Sequence, residues 1–138
     1  MDGRQFLNVA RRLVQEQDEE SWRTAAGRAY YALFLEARAA LIRWGVTGIP
    51  QFQAHAFVRN RFDYAANFSL KQIGKALEQL GRLRDRADYE IDVTGPFHSY
   101  FSTEQAIFKA EGMIDLLDDI EADPAELAAA VAAVLAVP

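Results

Sequence analysis

The stretch SWRTAAGRAYYALFLEARAALIRW, residues 21–44, decides the architecture. Trp22, Ala25, Ala26, Ala29, Tyr30, Leu33, Ala37, Leu41 and Trp44 recur at spacings that put them on one apolar helical stripe. Gly45 follows, where a left-handed residue commonly ends a helix. Ser21 carries the side chain of an N-cap, and the acids just before it lie where the positive end of a helix dipole favours them. The run predicts a helix of about 24 residues, roughly 36 Å long, which makes it the spine of the domain.

Working outward, Phe6, Val9, Ala10, Leu13 and Val14 mark a first helix from about Gly3 to Gln17. Beyond the spine, Gly48-Ile-Pro50 breaks the pattern, and Gln51 to Tyr64 resumes it with Phe52, Ala56, Val58/Arg59 and Phe62. Ser69 with Gln72 forms a capping-box pattern opening a fourth helix, Leu70 to about Arg86, whose stripe is Leu70, Ile73, Leu77, Leu80 and Leu83/Arg84. Asp88 to His98 contains Thr94-Gly-Pro96 and reads as a loop of about ten residues. Ser102 with Gln105 opens a fifth helix through Ile107, Ile114, Leu117 and Ile120, and Asp123-Pro124 restarts a sixth. No segment alternates as a strand does. The expected fold is all-α, an up-and-down bundle of five to six helices. Residues 1–122 form the bundle, and 123–138 an additional amphipathic helix packed on it or on a partner.

Composition narrows the chemistry. Of 138 residues, 51% are hydrophobic, enough for one domain. The absence of cysteine excludes disulfide frameworks, thiolate zinc sites and cysteine nucleophiles. Only His55 and His98 are available as imidazoles, so neither a metal nor a cofactor is expected. The most apolar run, Leu127 to Val137, falls short of the roughly 20 residues that span a bilayer, and no secretory pattern opens the chain. A soluble cytoplasmic protein is expected.

Charge is divided. Met1 to Arg86 holds 14 Lys and Arg against 9 Asp and Glu, whereas Ala87 to Pro138 holds one against 11. Such asymmetry suggests a cationic surface for a polyanion, a self-complementary surface that makes a homodimer, or charges that merely solvate helix faces. In the fourth helix, Lys71, Lys75, Gln79, Arg82 and Arg86 recur at spacings of three and four, a cationic ridge opposite the leucines. Evenly spaced cations suit phosphate contact, although Glu78 to Arg82 is also a stabilising pair and terminal cations complement the dipole. Arg82 to Glu90, with three arginines and Tyr89 at a helix end, is a second constellation able to grip a phosphate. Tyr30 and Tyr31 stand about 100° apart on the spine, so one faces the core and the other a flank, and a buried hydroxyl needs a partner.

Arg28-Ala-Tyr-Tyr-Ala-Leu-Phe34, then Glu36-Ala-Arg-Ala-Ala-Leu41, His55 with Phe57, and Arg86-Ala-Asp-Tyr-Glu90 together resemble the HEPN superfamily (higher eukaryotes and prokaryotes nucleotide-binding), in particular its small stand-alone prokaryotic branch. The resemblance covers about residues 5–120. It implies a helical bundle, usually homodimeric, that binds RNA or nucleotide and serves toxin–antitoxin or phage-defence systems, often beside a nucleotidyltransferase partner. Many members are metal-independent endoribonucleases with an arginine, four to six residues, then histidine. This chain departs from that pattern: 11 residues separate Arg43 from His55 and Arg86 from His98, and Tyr89 stands where histidine is expected. The resemblance matches His55, Arg86 and Tyr89 to residues of that branch, with Tyr89 an alternative acceptor for nucleotidyl transfer. Two expectations follow. One is a nucleotide- or RNA-binding module with Lys71, Lys75, Arg82 and Arg86 on phosphate. The other is a divergent ribonuclease using His55 or His98 with Arg86, and Tyr89 orienting the substrate.

Overall fold

In the computed structural model, which describes residues 1–138, the spine is helix α2 (Glu19–Arg43). Buried Ala25, Ala26, Ala29, Ala32, Ala37 and Ala40 let neighbouring helices approach closely, while Tyr30, Leu33, Phe34 and Leu41 fill the space between them. Helices α1 (Gly3–Leu13), α4 (Phe68–Tyr89) and α5 (Phe101–Ala122) pack around it; α3 (Ala54–Asp63) lies mainly on α4, and α6 (Pro124–Leu135) on α5. The molecule is an all-α bundle of six helices with one 3-10 turn, Gly95–Phe97, and no strand. No helix is long and apolar enough to cross a membrane.

Several boundaries differ from the sequence expectation, each for a local reason. Asp18, not Ser21, caps α2: its carboxylate accepts the Ser21 N–H at 2.8 Å. Asn67 replaces Ser69 as the cap of α4, accepting the Leu70 N–H at 3.1 Å. Helix α5 starts after Tyr100 with no side-chain cap, so Ser102 has no capping role. Gln53 sits in the left-handed region at φ 64°, which delays α3 to Ala54. Asp123 caps α6 as expected, and its extended backbone ends α5. Helix α6 buries Ala130 and Val134, and Arg61 of α3 donates to the carbonyls of Val134 and Val137 at its C-terminal end.

The two oppositely charged parts of the chain meet inside one molecule. Arg4 pairs with Asp118 at 2.6 Å, Arg11 with Glu111 at 3.0 Å and Arg43 with Glu121 at 2.6 Å. Each pair joins the basic N-terminal part to acidic α5, so much of the asymmetry is neutralised within the monomer. These pairs are partly exposed and contribute about 0–1 kcal/mol each.

One glycine sets the approach of α3 to α4. A β-carbon at Gly74 would lie 2.7 Å from the Asp63 backbone nitrogen and 2.8 Å from its Cα, and backbone cannot swing aside as a side chain does. Gly74→Ala should therefore lower unfolding free energy by about 1–3 kcal/mol in urea denaturation, even though alanine is the better helix former. A gain in stability would show that α3 is not seated against α4 at this point.

Candidate functional site

Helices α3 and α4 leave a groove of about 580 Å³ between them, with Tyr30 of α2 at its floor. From α3 come His55, Arg59 and Asp63, with Tyr64 just after its end; from α4 come Glu78, Gly81, Arg82, Arg84 and Asp85. Gly81 lies close to the floor: a β-carbon there would stand 3.3 Å from the Tyr30 ring, which would have to give by a few tenths of an ångström.

The centre of the groove is an aromatic nest around an imidazole. Tyr30 Oη and His55 Nδ1 are hydrogen-bonded at 2.6 Å, and the His55 ring stacks on Phe34 with centroids 4.2 Å apart. Tyr31 meets the same ring edge-on. The Arg84 guanidinium lies over both tyrosine rings, 5.3 and 5.6 Å from their centroids, and donates weakly to the Tyr31 hydroxyl at 3.4 Å. It also pairs with Asp85 at 3.1 Å.

Burial in this nest, reinforced by the neighbouring Arg84 charge, pushes the His55 pKa below its ordinary 6.5, against a smaller opposing pull from Asp85. His55 is therefore uncharged at neutral pH. Burial likewise pushes the Tyr30 phenol up to about 12, with Arg84 opposing. Both shifts have consequences for stability. The unfolded chain takes up a proton on His55 before the folded protein does, so His55 erodes stability as pH falls through 6.5 toward its lowered folded value. Tyr30 erodes it at the other end, as pH rises from 10 to about 12, because the unfolded phenol ionises first. Tyr30→Phe should flatten this alkaline loss; thermal melts between those two pH values check it, and an unchanged slope would contradict a buried, protonated Tyr30.

The candidate residues separate by location. His55 and Arg82 share the groove, and Arg82 is tied to Glu78 at 2.6 Å. Lys71 borders it, donating to the Asp63 carbonyl at 2.8 Å, and Lys75 is exposed on the same helix. Arg86 lies outside: it pairs with Glu90 at 3.5 Å and its guanidinium packs on Gly95. Tyr89 is exposed at the end of α4. His98 hydrogen-bonds the Gly95 carbonyl at 2.7 Å and lines a different cavity. The combination of His55 with Arg86 is thus not assembled in this chain; the arginine beside His55 is Arg84, half a helical turn round from Arg86. His98 and Arg86 meet only across Gly95, and Arg86 does not line the His98 cavity.

Sequence reasoning placed Arg59 in no site, and named Arg84 only within the arginine constellation at the end of the fourth helix, not beside His55. Arg84 falls on the leucine side of α4, and its burial at 19% side-chain exposure is what a core-facing position predicts. The one available signal was the buried tyrosine hydroxyl in need of a partner, which α3 supplies as His55. No group of three or more His, Asp or Glu is placed to hold a metal ion. Comparison with models of known families, with curated proteins and with solved structures returns no match to this chain.

Proposed function

We propose that this chain is a HEPN-like nucleotide- or RNA-binding module whose ligand enters the α3–α4 groove, acting in a toxin–antitoxin or phage-defence system with a partner such as a nucleotidyltransferase. The observation that carries the proposal is the composition of the groove. Three arginines, Arg59, Arg82 and Arg84, and three carboxylates, Asp63, Glu78 and Asp85, surround an aromatic floor in a volume suited to a small ligand. A purely cationic trough would suit any polyanion. Balanced charge with an exposed Tyr64 at the edge suits a nucleotide, which presents phosphate, sugar hydroxyls and a stacking base together. Titrating a fluorescent single-stranded RNA at low salt tests this; binding that is absent, or indifferent to groove substitutions, removes it.

A second reading, metal-independent RNA cleavage, is favoured by the uncharged His55. In the tautomer whose Nδ1–H donates to Tyr30 Oη, Nε2 holds a lone pair that can take the proton of a 2′-hydroxyl; in the other, Tyr30 O–H donates to Nδ1 and Nε2–H is a proton donor to the leaving oxygen, and in both Arg84 or Arg59 offsets charge on the attacked phosphate. Cleavage that persists in chelator and disappears in His55→Ala would establish this reading. RNA that is bound and left intact would leave the protein a binding module.

A further inference from the structure

We infer that a second cavity, where the α1–α2 turn meets the start of α5, binds a guanidinium group. The cavity is about 500 Å³ and shares no residue with the α3–α4 groove. Trp22 and Tyr100 supply aromatic surface, Glu16 and Glu104 supply carboxylates that are in no ion pair, and His98 supplies an imidazole; no lysine or arginine lines it. This is a different chemistry from the groove, and the inference does not depend on RNA binding.

The hydrogen bonds fix what the walls offer. Trp22 Nε1 donates to the Glu16 carbonyl at 2.7 Å, so the indole N–H is already used and the ring remains for stacking. His98 Nδ1 lies 2.7 Å from the Gly95 carbonyl, which can only accept; the ring proton is therefore on Nδ1, and in the uncharged ring Nε2 has the lone pair. Two carboxylates and this nitrogen make a set rich in acceptors. A bare metal ion does not fit them, since no three His, Asp or Glu groups converge on one point. A guanidinium does: it is planar, spreads five N–H donors over several positions, is always charged, and stacks on aromatic rings. An ammonium concentrates three donors on one atom and meets dispersed acceptors less well.

The guanidinium could belong to a free small molecule or to an arginine side chain, and two probes separate these sources. The His98 ring signals, assigned by their loss in His98→Gln, are followed by NMR at constant pH. Agmatine represents the free cation, a blocked Gly-Arg-Gly peptide the side chain, and 1,5-diaminopentane, of equal charge to agmatine, is the ammonium control. Saturable shifts with agmatine, with the peptide or with both are expected, at least about tenfold tighter than with the diamine. Glu16→Gln and Glu104→Gln, on the surface and outside the core, should each weaken binding about tenfold through loss of one charge-assisted contact, while Arg82→Gln should leave it unchanged. Tighter binding of agmatine assigns a free cation, and tighter binding of the peptide assigns an arginine side chain. The inference is overturned by no saturable shift with either probe up to about 20 mM, by equal affinity for the diamine, or by binding that survives both glutamine substitutions.

Discussion

Arg23→Met should lower the unfolding free energy by about 3–5 kcal/mol and release the chain after α4, although Arg23 touches neither cavity. Arg23 is 9% exposed, and its guanidinium donates to four carbonyls: Arg86 at 3.1 Å, Ala87 at 3.0 Å, Glu90 at 3.3 Å and Val93 at 2.7 Å. It also lies 4.7 Å from the Phe97 ring centroid and 3.6 Å from Glu19, whose buried Oε1 has no hydrogen bond of its own. The Arg86 and Glu90 carbonyls also accept the N–H groups of Glu90 and Val93, whereas for the Ala87 and Val93 carbonyls Arg23 supplies the donor, so one side chain completes the helix end and ties down the following loop. Methionine has similar length and no donor, so it leaves several acceptors and one carboxylate without their cation. Arg23→Lys should recover only part of the loss, because one ammonium cannot reproduce the fork. Urea denaturation gives the magnitude, and amide exchange in residues 90–97 should accelerate by more than the rest of the bundle. A loss under about 1 kcal/mol would mean that water replaces the guanidinium readily.

The second large effect belongs to the proposed ligand groove. Arg59→Gln combined with Arg82→Gln should weaken binding of single-stranded RNA about 100-fold at low salt, each charge-assisted phosphate contact accounting for roughly tenfold. It should also reduce the slope of log affinity against log salt by about 1.4, or 0.7 for each single-strand phosphate no longer neutralised. Arg59 has no carboxylate within 4.0 Å. Arg82 is held by Glu78, but both side chains of that pair are well exposed, so exchanging the carboxylate for a phosphate costs little. Neither arginine is in the core, so helical content should be unchanged. Filter binding across a salt series measures both quantities. Equal loss in an Arg86→Gln variant, with none in the double variant, would move the ligand to the end of α4.

The candidate site was partly legible in the sequence. His55 and the pair Tyr30 and Tyr31 were singled out there, and both hydroxyls meet a neighbouring helix, Tyr30 at His55 of α3 and Tyr31 more weakly at Arg84 of α4. Arg82 was named as one residue of a ridge; of that ridge Lys71 and Arg86 are engaged with other groups, and only Arg82 lines the groove. Arg86 and Tyr89 were named from the family resemblance and His98 as the alternative histidine, and none of the three lines the groove that holds His55.

What the sequence determined by itself was the helical character of each segment and the face it buries. Leu70, Ile73, Leu77 and Leu80 had to face inward together, because side chains three and four residues apart share a helix face whatever the neighbours are. The break at Asp123-Pro124 was equally local, since a proline without a donor following a capping aspartate starts a helix wherever it occurs. Tertiary structure alone decided that Tyr30 meets His55, that Arg84 rather than Arg86 stands beside them, and that Arg23 reaches the end of α4 more than 60 residues away. Periodicity specifies a face to within a stripe of about 100°, whereas a hydrogen bond needs two atoms within about 3 Å in a given direction. The rotation and close approach of whole helices supply that accuracy, and they are set by packing at positions such as Gly74 and Gly81, where the missing β-carbon lets one element settle against another.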